Sequence, residues 1–235
     1  NTEKHQPDEA AEYIPADAES MLKNEEWEKL IEAYGIDLPE QKTSTRLEGA
    51  VKTSNEIGYP VVMKLLSEEH SHKSDIGGVQ INLRNDDDVE KAWRKISDAA
   101  DKANAKMDGV LIQKMLQGGQ EVIIGIKQDE QFGPLVLFGT GGTDVELYKD
   151  VETAIAPLSE SEATKLIEST IAGKKLKGWR NLPTTDIQAV KKALINMSRI
   201  AVNHPEIKEM EMNPLYVLEK GKGAFAVDIR GSKGH

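Results

Sequence analysis

The chain contains no cysteine among its 235 residues. This absence excludes disulfides, thiolate metal sites and a thiol nucleophile, and it fits a reducing cytoplasm, where we expect the protein to reside. No apolar stretch reaches the length of a membrane span, and the N-terminal residues are polar and acidic, unlike a signal peptide. With 40 acidic and 30 basic side chains the net charge is −10, so neither a nucleic acid nor a membrane is an expected partner.

The length and the element pattern predict the domain organisation. A chain of 235 residues can form one large or two small domains. Residues 1–16 are polar and lack apolar periodicity, so we predict a flexible N-terminal extension. Helices and strands then interleave, but most strands connect as hairpins, which favours an α+β fold with antiparallel sheets. We predict two α/β subdomains at residues 17–113 and 114–230, followed by a frayed tail at 231–235.

The first candidate site lies within residues 58–79. An apolar strand, Val61–Leu66, carries Lys64 in its middle, and a lysine in a buried strand is costly unless an anion neutralises it. A polar segment with two histidines leads to Gly77 and Gly78, whose backbone N–H groups can approach an anion closely. This pattern suggests a polyphosphate held by Lys64 and the glycine pair. The alternative is an edge-strand lysine that reaches solvent, with the glycines in a hairpin turn.

The second candidate site lies in the last predicted hairpin. Strand alternation places Glu211 and Asn213 on one face. A turn centred on residues 220–221 would set Asn213 directly opposite Asp228 on that face. Two carboxylates and a carboxamide form a hard oxygen site suited to Mg²⁺. An acidic protein that binds polyphosphate must either concentrate its cationic side chains locally or use such an ion. The alternative is a solvated polar face in which Asp228 pairs with Arg230 or a lysine.

A glycine-rich segment, 138–144, follows a predicted buried strand. It lacks the helix that a dinucleotide-binding fingerprint requires, so we predict an anion-binding or hinge loop, with a plain loop as the alternative. Glu146 and Asp150 lie just beyond it and are predicted to face the same cleft. The basic segment 174–180 would screen phosphate charge or contact a partner, although a solvated charge run is more typical of such lysines.

Four motifs occur in the order found in one family. They are Gly-Tyr-Pro-Val-Val-Met-Lys at 58–64, His-Lys-Ser-Asp-Ile-Gly-Gly-Val at 72–79, Phe-Gly-Pro-Leu-Val-Leu-Phe-Gly-Thr-Gly-Gly at 132–142, and Glu-Met-Asn-Pro-Leu at 211–215 with Ala-Val-Asp at 226–228. From about residue 20 to 230 the chain resembles the ATP-grasp β subunit of ADP-forming acetyl-CoA synthetases. These enzymes belong to the nucleoside-diphosphate-forming acyl-CoA synthetase superfamily, with succinyl-CoA synthetase as a relative. The resemblance implies an ATP-grasp fold, in which two subdomains clasp ATP.

The resemblance also implies roles for individual side chains. Lys64 would contact the nucleotide phosphates, and His72 would accept a phosphoryl group transiently, with His70 as the other candidate. Glu146 would be a further catalytic residue, and the backbone of residues 113–116 would bond the adenine. The implied nucleotide-binding residues besides Lys64 are Gly77, Gly78, Gln113, Lys114, Met115, Leu116, Glu121, Gly141 and Gly142. The implied Mg²⁺ ligands are Asn213, Asp228 and Glu211.

The implied reaction is acyl-CoA + ADP + phosphate ⇌ acid + ATP + CoA, in which this chain exchanges a phosphoryl group between phosphohistidine and ADP. The chain shows no Rossmann-type CoA fingerprint, so we expect a partner α subunit in a heterotetramer. The partner would supply the CoA site and the principal phosphohistidine. Two alternatives stay open. An independent ATP-grasp carboxylate ligase would act without a partner, whereas a non-catalytic nucleotide-sensing module would bind ATP without turning it over.

Overall fold

The structure is a computed structural model, and it describes residues 24–67, 76–142, 150–180 and 182–234. Its helices are α1 (Asn24–Ala33), α2 (Leu47–Ile57), α3 (Asp86–Lys102), α4 (Glu160–Glu168), α5 (Ile171–Leu176) and α6 (Ile187–Asn203). Its strands are β1 (Gln41–Ser44), β2 (Val61–Leu66), β3 (Val79–Leu83), β4 (Gly109–Lys114), β5 (Gln120–Asp129), β6 (Gly133–Thr140), β7 (Val151–Ile155), β8 (Ile207–Val217), β9 (Ala224–Ala226) and β10 (Ile229–Lys233). Every ladder between these strands is antiparallel, which confirms the predicted sheet type. None of the described helices is long and apolar enough to span a membrane.

The chain divides into two compact units whose boundaries differ from the predicted ones. The smaller unit is Pro39–Gln117, and the larger unit contains the chain up to Leu38 and from Gly118 onward. The predicted division assigned the first helix to the first subdomain. In the structure, Trp27 is buried in the core of the larger unit instead. The unit that α1 joins is therefore decided by hydrophobic burial against strands that are distant in the sequence, and not by the helix's position before the smaller unit.

The smaller unit is a four-stranded sheet with the order β1-β4-β2-β3. In β2, Val61, Met63 and Leu65 are fully buried in a core that they share with residues of α2 and α3. Lys64 is only partly buried and points to the opposite face, because successive side chains in a strand alternate. The predicted alternation of this strand is thus confirmed, and it places the lysine on the face that the helices do not cover.

The larger unit is a six-stranded sheet with the order β10-β8-β5-β6-β7, and β9 also pairs with β8. The core lies on one face, where α1, α4 and α6 pack against inward-pointing residues such as Ile124, Phe138 and Met212. The opposite face carries Glu211, which pairs across the sheet with Gly125 of β5 and Arg230 of β10. The face that the helices cover therefore stabilises the unit, and the opposite face is available for polar groups.

Two local predictions are wrong. The predicted tail at 231–235 is an ordered strand as far as Lys233, since β10 extends along β8. Gly231 lies beneath the Trp27 ring, where a Cβ atom would come within 2.8 Å of the indole, so the glycine permits this close packing. The helical spacing of Ala163, Leu166, Ile167 and Ile171 predicts one helix that stops at Gly173, followed by an irregular basic loop at 173–185. In the structure that helix ends at Glu168, and a second helix, α5, extends into the predicted loop.

Asp186 links α6 to the last hairpin. Its carboxylate caps α6 by accepting the N–H of Ala189 at 3.2 Å, and it accepts the N–H groups of Gly221 and Gly223 at 2.9 and 3.0 Å. We expect Asp186→Ala to lower the free energy of unfolding by about 2 kcal/mol, since the cap and the turn bonds are each worth about 1 kcal/mol. Ser159→Ala, which removes only the cap of α4, should cost about half as much in urea denaturation. Equal losses would show that the turn bonds contribute nothing.

Candidate functional site

The last hairpin has the register expected from the sequence. The backbone N–H of Asn213 donates to the carbonyl of Asp228 at 3.0 Å, and the N–H of Val227 donates to the carbonyl of Pro214 at the same distance. The flanking pairs, Met212 with Ile229 and Leu215 with Ala226, keep this register. Asn213 and Asp228 therefore lie directly opposite each other, as predicted.

The Asn213 side chain contacts the glycine segment that follows β6. The backbone N–H of Gly142 donates to Asn213 Oδ1 at 2.8 Å. Gly142 has a φ of 73°, and a Cβ atom there would collide with the Glu121 carboxylate. The N–H of Gly141 donates to the carbonyl of Glu121 at 3.2 Å. The structure thus brings together four predicted site residues, and glycine is required where the segment passes β5.

Asp228 pairs with Arg230, as the alternative interpretation of the hairpin anticipated. The Arg230 Nη2 and Nε atoms lie 3.2 and 3.3 Å from the same carboxylate oxygen, Oδ2 of Asp228. The two side chains are 42% and 32% exposed, and ion pairs at such positions contribute little to stability. The ion pair with Arg230 therefore orients the Asp228 carboxylate but adds little to the stability of the fold, so the pair is compatible with a role for Asp228 as a metal ligand.

Glu211 is a partly buried carboxyl on the same face. Burial raises the pKa of the Glu211 carboxyl above its ordinary value, and the Asp228 and Glu209 charges also raise it, while Arg230 partly offsets them. An additional cation beside Glu211 would relieve this penalty, because an opposite charge favours the ionised form.

The donor atoms of this cluster fit a hard cation. Glu211 and Asp228 offer carboxylate oxygens and Asn213 offers a carboxamide oxygen, which are the ligand types that Mg²⁺ takes in proteins. In the part of the chain that the structure describes, no three His, Cys, Asp or Glu side chains cluster closely enough to hold a metal by themselves. A Mg²⁺ ion here would therefore complete its coordination with substrate oxygens and water, as is usual for that ion.

The smaller unit positions Lys64 beside the predicted glycine pair. Lys64 pairs with Val79 of β3 and Leu111 of β4. The N–H of Leu65 donates to the carbonyl of Gly78 at 2.7 Å, and Gly77, with a φ of 79°, lies in the turn that enters β3. The glycine pair thus adjoins the lysine strand as predicted.

The segment predicted to bond the adenine is tightly held within the smaller unit. The N–H of Lys114 donates to the carbonyl of Glu40 at 2.8 Å, and the N–H of Met115 donates to that of Pro60 at 3.1 Å. The side chain of Gln113 is 2% exposed, and its Nε2 donates to Gln41 Oε1 at 2.7 Å. These bonds fix the segment. They also occupy the N–H groups of Lys114 and Met115, which were among the backbone groups predicted to bond the adenine.

Several predicted residues lie outside the described part of the chain. They are His70, His72, Glu146 and the extension at residues 1–16. Their assignments stay predictions.

Asp150 has a role that the sequence did not indicate. Its carboxylate accepts the hydroxyl of Thr140 at 2.7 Å and the N–H groups of Ile171 and Ala172 at 2.7 and 2.8 Å. Burial by itself would raise the pKa of Asp150, but these hydrogen bonds and the charge of Lys175 lower it below its ordinary value. The carboxylate is therefore ionised at neutral pH, and it joins the end of β6 to α5. Its main partners lie 21 and 22 positions later, where no local motif would reveal them.

Comparisons with known proteins agree with the architecture. The family described as an ATP-grasp domain matches residues 14–231. The β subunit of acetate–CoA ligase (ADP-forming) I from Pyrococcus furiosus is 42% identical over 207 residues, which are 87% of this chain and 88% of that subunit. The 4-hydroxybutyrate–CoA ligase (ADP-forming) of Nitrosopumilus maritimus is 42% identical over 211 residues, which are 89% of this chain but only 30% of that ligase.

A solved structure shows the same fold. Acetyl-coenzyme A synthetase 1 of Ca. Korarchaeum cryptofilum, in complex with coenzyme A and Mg-AMPPCP, aligns with a TM-score of 0.77 and 42% identity. The alignment covers 91% of this chain and 93% of that one, and the phosphohistidine segment of that structure points towards its nucleotide binding site. These similarities confirm the ATP-grasp fold and the family resemblance predicted from the four motifs.

Proposed function

Because the chain belongs to the ATP-grasp family, we propose that it is the nucleotide-binding part of an ADP-forming acyl-CoA synthetase. In this role it transfers a phosphoryl group between a phosphohistidine and ADP to make ATP. The observation that carries the proposal is the pairing of Asn213 with Asp228, with the N–H of Gly142 on the Asn213 carboxamide. These residues belong to two of the motifs that the chain shares with its relatives.

The proposed nucleotide site uses charge from both protein and metal. In the smaller unit, Lys64 is the residue that would neutralise phosphate oxygens. In the larger unit, Asn213, Asp228 and Glu211 are the residues that would hold Mg²⁺. When bound, the ion supplies positive charge that stabilises the transferring phosphoryl group. Gly141 and Gly142 present backbone beside the same hairpin, and a Cβ atom on Gly141 would collide with the backbone of Val122.

His72 is the proposed phosphoryl acceptor of this chain. The neutral imidazole attacks the γ-phosphorus of ATP, so that an N–P bond forms as the bond from phosphorus to the β,γ-bridging oxygen breaks and ADP leaves. The reverse reaction makes ATP from ADP and the phosphohistidine. Glu146 and the adenine contacts of residues 113–116 remain part of the proposal, supported by the family resemblance alone.

The remaining chemistry requires further protein. The Pyrococcus relative is named as a β subunit, and the Nitrosopumilus ligase is a longer chain of which this sequence spans 30%. We propose that a partner α subunit supplies the CoA site and the principal phosphohistidine. Either arrangement, separate subunits or one long chain, would bring the same two functions together.

Labelling with [γ-³²P]ATP tests the proposal. The chain, incubated with Mg²⁺ with and without its partner, should acquire label on histidine that is acid-labile and base-stable. His72→Ala should remove the label from this chain, and His70→Ala is the matched control that should retain it.

The outcomes separate the alternative functions. Absence of label in both incubations would contradict the proposal. ATP consumption without a partner and without a labelled histidine would indicate an independent ligase. Binding without any turnover would indicate a nucleotide sensor. Label that survives His72→Ala but not His70→Ala would move the acceptor to His70.

A further inference from the structure

The Asp150 carboxylate connects two separate pieces of the larger unit, the end of β6 and the start of α5. Its Oδ1 atom accepts the N–H of Ile171 at 2.7 Å, and its Oδ2 atom accepts the N–H of Ala172 at 2.8 Å and the Thr140 hydroxyl at 2.7 Å. Its main-chain carbonyl accepts the N–H of Thr140 at 3.1 Å. Thr140 is therefore bound to Asp150 through both its backbone and its side chain.

Close packing makes this connection specific. A Cβ atom on Gly139 would collide with the carbonyl oxygen of Asp150, so the glycine allows Asp150 to lie directly against the end of β6. Thr140 itself is 5% exposed. A buried hydroxyl bonded to a carboxylate is held firmly, since leaving either group unpaired would be costly.

The same segment leads to the Asn213 carboxamide. Gly142 lies two residues after Thr140, and its N–H is the donor that orients Asn213 Oδ1 at 2.8 Å. On the other side, the N–H of Gly141 is bound to the Glu121 carbonyl at 3.2 Å. The segment from Thr140 to Gly142 is thus fixed at one end by Asp150, in its middle by β5, and at its other end to Asn213.

We propose that Asp150 is a positioning residue for Asn213, and that it acts through the Thr140–Gly142 segment to aim the carboxamide oxygen for cation binding. This inference rests on the proposed function, in which Asn213 is a Mg²⁺ ligand. In this role Asp150 acts through its bonds to Thr140 and α5 and needs no contact of its own with the cation or the nucleotide. It determines how well the Asn213 oxygen is preorganised, which sets how much Mg²⁺ is needed to bind nucleotide.

The test compares two carboxylates at opposite ends of β6, with Asp150 beside Thr140 and Asp129 opposite Gly133. Asp150→Asn replaces one of the two acceptor oxygens with an NH₂ group, which cannot accept an N–H group, so the bonds from Ile171 and Ala172 cannot both be kept. The matched control is Asp129→Asn at the opposite end of β5 and β6, where Asp129 Oδ1 accepts the N–H groups of Gln131 and Phe132 at 2.9 and 3.0 Å. Both changes remove one negative charge beside backbone N–H groups, but only Asp150 connects to Asn213.

The measurement is ADP binding to the full chain by calorimetry, at a series of Mg²⁺ concentrations and in EDTA. For Asp150→Asn we expect the Mg²⁺ concentration at half-maximal ADP binding to rise about tenfold, with metal-free ADP affinity changed less than about twofold. For Asp129→Asn we expect both quantities to stay within about twofold of wild type. Thr140→Val, which removes only the hydroxyl bond, should give a smaller shift in the same direction and serves if Asp150→Asn does not fold.

Three results would contradict either the positioning role of Asp150 or the proposed function. Equal Mg²⁺ dependence in wild type, Asp150→Asn and Thr140→Val would overturn the positioning role while leaving the proposed function intact. A parallel loss of metal-free and Mg²⁺-dependent binding would also overturn it, since that pattern indicates general damage to the fold. A wild-type chain that binds no ADP in the presence of Mg²⁺ would overturn the proposed function itself.

Discussion

Replacing Asp228 by asparagine is expected to weaken Mg²⁺-dependent nucleotide binding by roughly 30-fold, because one charge-assisted contact is worth about 2 kcal/mol. The substitution keeps the size of the side chain and removes one negative charge from the proposed metal site. Stability should change little, since the Asp228–Arg230 ion pair is partly exposed and such pairs contribute about 1 kcal/mol or less. Isothermal calorimetry with ADP, in Mg²⁺ and in EDTA, measures the difference.

Glu209→Gln is the matched control for this change. Glu209 lies on β8, two residues before Glu211 and on the same face of the sheet as Glu211. In the described structure, the hydrogen bond given for its carboxylate is the one that it accepts from the hydroxyl of Ser232 at 3.3 Å. We expect its Mg²⁺-dependent affinity to remain within about twofold of wild type. Equal losses in Asp228→Asn and Glu209→Gln would mean that the effect reflects the overall charge of the face, and that Asp228 is not a ligand.

Gly142→Ala is expected to weaken Mg²⁺-dependent nucleotide binding by about tenfold. The new methyl group would overlap the Glu121 carboxylate, which is the flexible end of an exposed side chain and has to turn away. We expect the strained backbone of residue 142 to displace its N–H group from Asn213 Oδ1. The positive φ of 73° adds backbone strain of about 1 kcal/mol for a residue with a Cβ atom. Calorimetry for ADP binding and thermal unfolding for stability together measure both effects.

Gly133→Ala is the control for Gly142→Ala, because it introduces the backbone strain of a positive φ without a steric overlap. Gly133 has a φ of 74° at the other end of β6, and a Cβ atom there would meet nothing within 4 Å. Both variants should lose about 1 kcal/mol of stability from the backbone conformation, whereas only Gly142→Ala should weaken nucleotide binding. If the two variants bind nucleotide equally well, the Gly142–Asn213 contact has no functional role.

The hairpin site could be predicted because its determinants are local. Alternation along β8 and a tight turn are enough to set Asn213 against Asp228, and the structure has that register. The sequence also offered the Asp228–Arg230 pair as an alternative, and the structure contains it beside the predicted arrangement. The predicted ligands and the ion pair therefore coexist in one cluster.

The anchoring of that site could not be predicted because it depends on tertiary contacts. Asp150 binds backbone N–H groups of a later helix, and neither α5 nor its position is apparent from a stretch of lysines. The placement of α1 follows from Trp27 packing on Gly231 at the other end of the chain. The same contact explains why β10 continues through residues that looked like a polar tail. Periodicity identifies local elements, but long-range packing decides which unit they join.

Isotope exchange between ADP and ATP tests the central claim most directly. A phosphohistidine mechanism predicts that the chain with its partner, given only Mg²⁺, ATP and labelled ADP, converts labelled ADP to labelled ATP without acid, CoA or phosphate. Asp228→Asn should suppress this exchange and Glu209→Gln should not. Exchange that occurs only when every other substrate is present, or no exchange at all, would contradict a phosphoryl group carried on histidine.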